Sequence, residues 1–348
     1  MKTTLFSFKT LLLLLTLLVI LLSVANLMLG SADLNYSNIL KFIIGHWEDE
    51  RYRVILIDYR LPQVFTAIAT GIALSIAGLM LQALFKNPLA GPSVLGISAG
   101  ASLGVAIIIL AGSALGINLM EQTMGFSGLT LILAAFAGAL TILFVIIFIS
   151  NRIAHVVTIL ILGIMIGYLV SALVGILQYF SGNEALQSFV IWGLGSFAKN
   201  SLLRSVTMLL TVLFLSFLLF FFGKTLNVMI LGDQYAKSMG VNVNKIQKQI
   251  LLLSGLLIAL GTAFTGPIAF IGLAVPHIAR AWLHSADHKK LIPLTLLIGA
   301  NFALLCNVLA RLPGTDTTLP INAATSLLGA PIVIWVIVKR SKIKAGSL

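Results

Sequence analysis

Residues Leu231–Lys248 read LGDQYAKSMGVNVNKIQK, a polar and charged interval between two long apolar runs. Leu202–Phe222 before it is almost wholly Leu, Val and Phe, and Ile250–Gly266 after it is apolar again. The interval reads as a short helix. Asp233 suits its start, because a carboxylate is favoured near the positive end of the helix dipole. Asp233 and Lys237 lie four apart and are expected to pair across one turn, while Tyr235 and Met239 share another face. Gly240 suits the stop, where a residue of positive φ closes the helix. Asn244 is expected to cap the apolar helix that follows. A small folded knob, roughly residues 224–248, therefore sits between two spans on a basic loop. It is either a connector, the usual job of a loop, or a docking element that takes a push from a soluble partner.

The 348 residues are 59% hydrophobic and 9% charged, with a mean hydropathy of +1.10. So little charge cannot form a water-soluble shell, and the reading is an all-α polytopic membrane protein, a single membrane unit over residues 1–348. At about 20 residues per crossing there is room for roughly nine to eleven spans. The net charge of +12 is spread over loops, which suits a leaflet of anionic lipid rather than nucleic acid. Cys306 is the one cysteine, so no disulfide and no thiolate metal site forms within one chain.

Lys2 and Lys9 precede an apolar run, Thr10–Leu29, too long for a signal-peptide core and read as an uncleaved first span. Ser31–Tyr59 is polar and reads as an external loop with a short helix. Arg60-Leu61-Pro62 then opens the second span, with Pro62 in its first turn. Lys86–Pro92 (KNPLAGP) breaks the helix, and Val94–Ala111 follows with Gly96, Gly100 and Gly104 at four-residue spacing. Gly128–Ser150, Val156–Tyr179, Leu202–Phe222, Ile250–Gly266, Leu291–Ala310 and Ile321–Val338 complete the long spans. Ser181–Ser201 reads as an external segment with an interfacial helix. Pro267–Arg280 reads as a segment broken by two prolines. Lys and Arg concentrate on the loops that share a side with the knob, which places the knob and both termini in the cytoplasm. Gly91-Pro92 and Gly266-Pro267 form a weak echo between the halves, as in repeat-built transporters.

No Asp or Glu sits within a span, which argues against an ion-coupled secondary transporter, the rival reading of another class. Gly223-Lys224-Thr225 resembles the end of a phosphate loop, but Leu218 stands where the glycine five positions earlier is required. His284 and His288 read as solvated residues of an inner loop rather than metal ligands. An all-helical membrane body without an energy source, carrying a folded inner knob, implies a partner that supplies energy.

Four ordered motifs sharpen this. RLP at Arg60–Pro62 with GLMLQALFKNPLAGPSVLGISAGASLG at Gly78–Gly104, LGDQYAKSMGV at Leu231–Val241, FIGLAVPHIAR at Phe270–Arg280 and LPINAATSLLGAP at Leu319–Pro331 resemble the iron-chelate and vitamin B12 importer permeases of the ABC transporter superfamily. The resemblance runs from about Arg60 to the C-terminus. It implies a type II ABC importer permease fold of about ten helices in a bacterial cytoplasmic (inner) membrane. On this resemblance the permease itself would not be an enzyme and would bind no cofactor or metal. Implied partners are a second permease copy or paralogue, two ATPase subunits that hold ATP and Mg, and an extracytoplasmic substrate-binding protein. The implied cargo is an iron(III)-siderophore-type chelate, with haem or cobalamin as alternatives. The ATPase-coupling residues would be Leu231, Gly232, Asp233, Tyr235, Ala236, Met239 and Gly240. Arg60 and Arg311 would dock the binding protein, although Gln63 stands where the family often carries a further arginine. Gly96, Ser98, Gly100 and Gly104 would line the path or pack helices.

Overall fold

One helix, rich in Ala, Gly and Leu, runs through the middle of the molecule. The computed structural model describes residues 7–30, 50–112, 127–153, 155–311 and 318–345. In chain order its helices are α1 (Phe8–Met28), α2 (Glu50–Leu84), α3 (Ile97–Ala111), α4 (Ser127–Ser150), α5 (Val156–Phe180), α6 (Asn183–Gly193) and α7 (Leu202–Phe220). There follow α8 (Gly223–Ile230), α9 (Asp233–Ser238), α10 (Val243–Thr265), α11 (Ile271–Leu283), α12 (His288–Ala310) and α13 (Ile321–Ala345). Seven are long and apolar enough to cross a membrane, and α3, α11 and α13 contain shorter apolar helices. Together these make the expected ten or so crossings, while α6, α8 and α9 lie outside them. The polar stretch Ser31–Tyr59 and the turn Arg311–Pro320 fall partly outside the described residues.

The buried helix is α2. Its small residues let neighbouring backbones approach as no larger side chain would allow. A Cβ on Gly71 would stand 2.2 Å from the Gly299 carbonyl oxygen of α12, and one on Gly299 would stand 2.5 Å from that of Gly71. Further along, a Cβ on Gly78 would lie 1.8 Å from the Gly272 carbonyl oxygen of α11. Pro276 explains that contact. It sits inside α11 and has no N–H to give the carbonyl four residues back, which is that of Gly272. The freed oxygen instead lies against the bare Cα of Gly78, where a weak C–H···O contact is available. Polar bonds extend the hub. Thr66 Oγ1 donates to Ser205 Oγ of α7 at 3.0 Å, and Ser75 Oγ donates to the Thr295 carbonyl at 3.3 Å.

Of the two proline expectations, one is extended and one changes. Pro62 does stand in the first turn of the α-helical stretch Leu61–Leu84, but that stretch continues a helix already begun at Glu50. The passage is made by a π turn over Ile55–Arg60, in which the Leu61 N–H reaches the Leu56 carbonyl five residues back. Pro267–Arg280 is broken once, at Gly266–Phe270, and Pro276 rides within α11.

The leucine-rich α1 is mostly exposed along its span and is held to α12 by amides. Asn301 Nδ2 donates to the Leu15 carbonyl at 3.0 Å, and Asn26 Nδ2 donates to that of Leu304 at 3.1 Å. Asn307 Nδ2 donates to Asn26 Oδ1 at 2.7 Å, also buried. Where lipid is as apolar as leucine, such hydrogen bonds specify the neighbour.

Gly78→Val tests the hub. Its side chain must displace the Gly272 carbonyl, so the expected cost is about 3 kcal/mol or more, seen as a lower detergent unfolding midpoint and a lower yield of folded protein. Wild-type stability would show that α2 and α11 do not meet there.

Candidate functional site: the knob and the opposite end

The knob is three short pieces. α7 ends at Phe220, and α8 follows after one turn with Leu226 and Met229 buried beneath it. Gly232, at φ +125°, redirects the chain into α9. Ala236 is the α9 residue that is fully buried, against Met229 and Val243. Gly240 closes α9 at φ +80°, as its sequence position implied, with its N–H on the Lys237 carbonyl and the Val241 N–H on that of Ala236.

With Ala236 turned inward, Leu231, Tyr235 and Met239 face out, 68%, 49% and 61% exposed. Tyr235 and Met239, four apart, share one face of α9 and its cap, and Leu231 lies just before the Gly232 bend, so all three leave apolar surface exposed on a basic, polar element. The expected Asp233–Lys237 pair is not what forms. Asp233 Oδ1 instead takes the Lys86 ammonium at 2.8 Å, from the loop between α2 and α3. The cap of α10 is Asn242 rather than Asn244, its Oδ1 accepting the Lys245 N–H at 3.1 Å.

A second tether binds α8 to the turn between α11 and α12. Asn227 Nδ2 donates to Asp287 Oδ1 at 2.7 Å, and Asn227 Oδ1 accepts the His288 N–H at 2.8 Å. The Asn227 hydrogen bond holds the Asp287 carboxyl below its ordinary pKa, so the anion that caps α12 persists to lower pH than a free carboxylate would. His288 is buried and bonded to Asn227 through Nδ1, so it is not the solvated residue that its place in an inner loop implied.

The glycine ridge is a packing surface. Gly96 starts α3 at φ +72°, close against Gly163 and Gly167 of α5. Gly100 and Gly104 meet α4, where Cβ atoms would stand 2.6 Å from the Gly138 oxygen and 2.1 Å from that of Ala134. Ser98 Oγ shares a hydrogen bond of 3.1 Å with Thr262 Oγ1 of α10.

At the opposite end both arginines converge on the last turn of α1. Arg60 is buried and donates through Nη1 to the Leu27 and Met28 carbonyls. Arg311 Nη1 donates at 2.8 Å to the carbonyls of Asn26 and of Leu29. These carbonyls have no partner within the helix and carry its negative dipole end, so two guanidinium groups satisfy both needs. Beside them opens a cavity of about 240 Å³, lined by Gln63, Lys199, Asn307, Arg311 and Leu319 among others. Lys199 was not singled out from the sequence, where it is one cation in a polar segment.

The FecCD transport family is matched over residues 15–339. The chain belongs to that family. It is 37% identical over 299 residues to the hemin transport system permease protein HmuU of Yersinia pestis, covering 84% of this chain and 85% of that one. It is 33% identical to the vitamin B12 import system permease protein BtuC of Salmonella arizonae, covering 86% and 87%. Among solved structures it is similar to an ABC transporter described as of metal-chelate type, in an inward-facing conformation, with TM-score 0.82 at 30% identity. That likeness covers 95% of this chain and 99% of the other. This is accordingly a multi-pass transport permease.

The geometry at α1 yields a test. Arg60→Ala leaves two α1 carbonyls without their donor, and a loss of about 2 kcal/mol is expected. In detergent this shows as a lower unfolding midpoint and faster proteolysis of the α1 end. Unchanged values would remove Arg60 from the cap.

Proposed function

We propose that the chain is the permease subunit of a binding-protein-dependent ABC importer that moves an iron(III)-siderophore-type chelate across a bacterial cytoplasmic membrane. The observation that carries this is the exposure of Leu231, Tyr235 and Met239 on a basic knob beyond the spans. Three large apolar side chains at the aqueous end of a membrane protein have no lipid to cover them, and a groove in a soluble partner would. That partner is the ATPase, which holds ATP and Mg and supplies the energy. In this reading the knob end, rich in Lys and Arg, is cytoplasmic.

A second permease copy or paralogue completes the path, and the two rock as the ATPases close and reopen. No bond in the cargo breaks. The binding protein docks at the arginine end. There Arg311 keeps part of its surface open beside the cavity, while buried Arg60 acts by holding α1 in place. Haem is the second cargo reading, favoured by the identity to the hemin permease.

Gly240→Pro tests the coupling. Proline cannot take φ +80°, and it removes the N–H that closes α9. Membrane insertion is expected to persist while ATP-driven uptake of labelled ferric siderophore, haem or cobalamin falls on the order of tenfold or more. Normal uptake by this variant would end the reading of α9 as the coupling segment. Gradient-driven transport by the chain alone in liposomes would favour a secondary carrier.

A further inference from the structure

Two helix ends on the knob side close with one hydrogen-bond pattern but with different residues in the left-handed position. At the end of α9 that residue is Gly240. At the end of α2 it is Lys86, at φ +48°, with its N–H on the Ala83 carbonyl at 3.3 Å and the Asn87 N–H on that of Gln82 at 3.2 Å. Glycine adopts such a φ without strain and lysine does not. The backbone turn therefore gives no reason for a side chain at position 86. The ion pair with Asp233 gives one.

That pair is 48% and 40% exposed, so water screens it and it adds little to the stability of the fold. Its distinction is what it joins. On one side is the first residue of α9. On the other is a loop held tightly to the spans: the Pro88 carbonyl lies 3.0 Å from His277 Nε2, and Pro92 packs where a Cβ on Gly272 would stand. The same loop leads directly into Gly96 and the start of α3. The Asn227 tether, by contrast, holds α8 rather than α9.

We propose that Lys86 is a positioning residue for ATP-coupled transport. Through Asp233 it passes displacement of α9 to the break between α2 and α3, so that loop 86–92 and the start of α3 move with the knob. This rests on the reading of α9 as the coupling segment.

The test uses the full chain, purified with whatever ATPase accompanies it, reconstituted in proteoliposomes and supplied with the cargo-loaded binding protein. ATP hydrolysis is measured together with uptake of whichever labelled cargo the wild type carries: ferric siderophore, haem or cobalamin. Lys86→Gly relieves the strained φ and deletes the charge. It is expected to keep or raise the unfolding midpoint and to retain the ATPase, while transport per ATP falls at least about fivefold. Lys86→Arg is expected to keep coupling. Lys86→Glu and Asp233→Lys are each expected to lose it, and the double reversal to recover at least about half, since the contact is restored with its charges exchanged. Wild-type transport per ATP in Lys86→Gly, or a double reversal no better than the single ones, would overturn the proposal while leaving the coupling segment intact. Failure of the wild-type chain to retain any ATPase would overturn both.

Discussion

Bare backbone meeting bare backbone is the constraint on which this molecule depends. α2 is flanked by α11 and α12 at distances that exclude even a methyl group, at Gly78 against Gly272 and at Gly71 against Gly299. In lipid, helices gain nothing by hiding leucine from leucine, so association rests on close packing and on polar groups that find partners. The pairing of Pro276 with Gly78 combines the two. A proline frees a carbonyl on one helix, and a glycine on the next receives it. With α2 fixed in this way, α7 and α10 have a wall to pack on, and α1 is added outside through its amides.

The two ends of the bundle use polar groups differently. At the arginine end, Arg60 and Arg311 donate inward to the carbonyls at the end of α1, so both help hold that helix, Arg60 from a buried position and Arg311 from a partly open one. At the knob end the polar groups tie separate segments together: Lys86 to Asp233, and Asn227 to Asp287 and His288. Those ties lead to the two places where spans are broken or turn, before α3 and between α11 and α12. A knob tethered at such points, with apolar side chains left facing water, is suited to pass movement from a bound partner to the spans.

Much of this was legible in the residues. Composition and apolar run lengths required a polytopic helical body, and Gly240 announced the end of α9 because only positive φ closes that turn cheaply. What the sequence concealed was partnership between distant positions. Asp233 has a lysine four residues away, the local choice, yet it bonds one 147 residues earlier in the chain. Pro276 looked like a break, because local rules do not see a neighbouring glycine that accommodates the freed carbonyl, and the π turn that extends α2 back past Pro62 left no local signal. His288 looked solvated because its partner, Asn227, lies on α8, 61 residues earlier in the chain. Arg60 and Arg311 showed that they belonged to helix ends, but not that both serve the end of α1. The lone amides Asn26, Asn301 and Asn307 in apolar runs were the signal that would have placed α1 on α12.

The central claim is that the exposed apolar side chains around α9, Leu231, Tyr235 and Met239, are a cytoplasmic seat for the ATPase. Cys306 is buried, so a new thiol at position 239 reports with little background. The most direct measurement is labelling of Met239→Cys by a membrane-impermeant maleimide, in right-side-out vesicles and in inside-out vesicles before and after peripheral proteins are stripped and restored. The account expects labelling only in stripped inside-out vesicles, with protection when the ATPase is returned. Labelling from the outer side, or labelling unchanged by the ATPase, would contradict it.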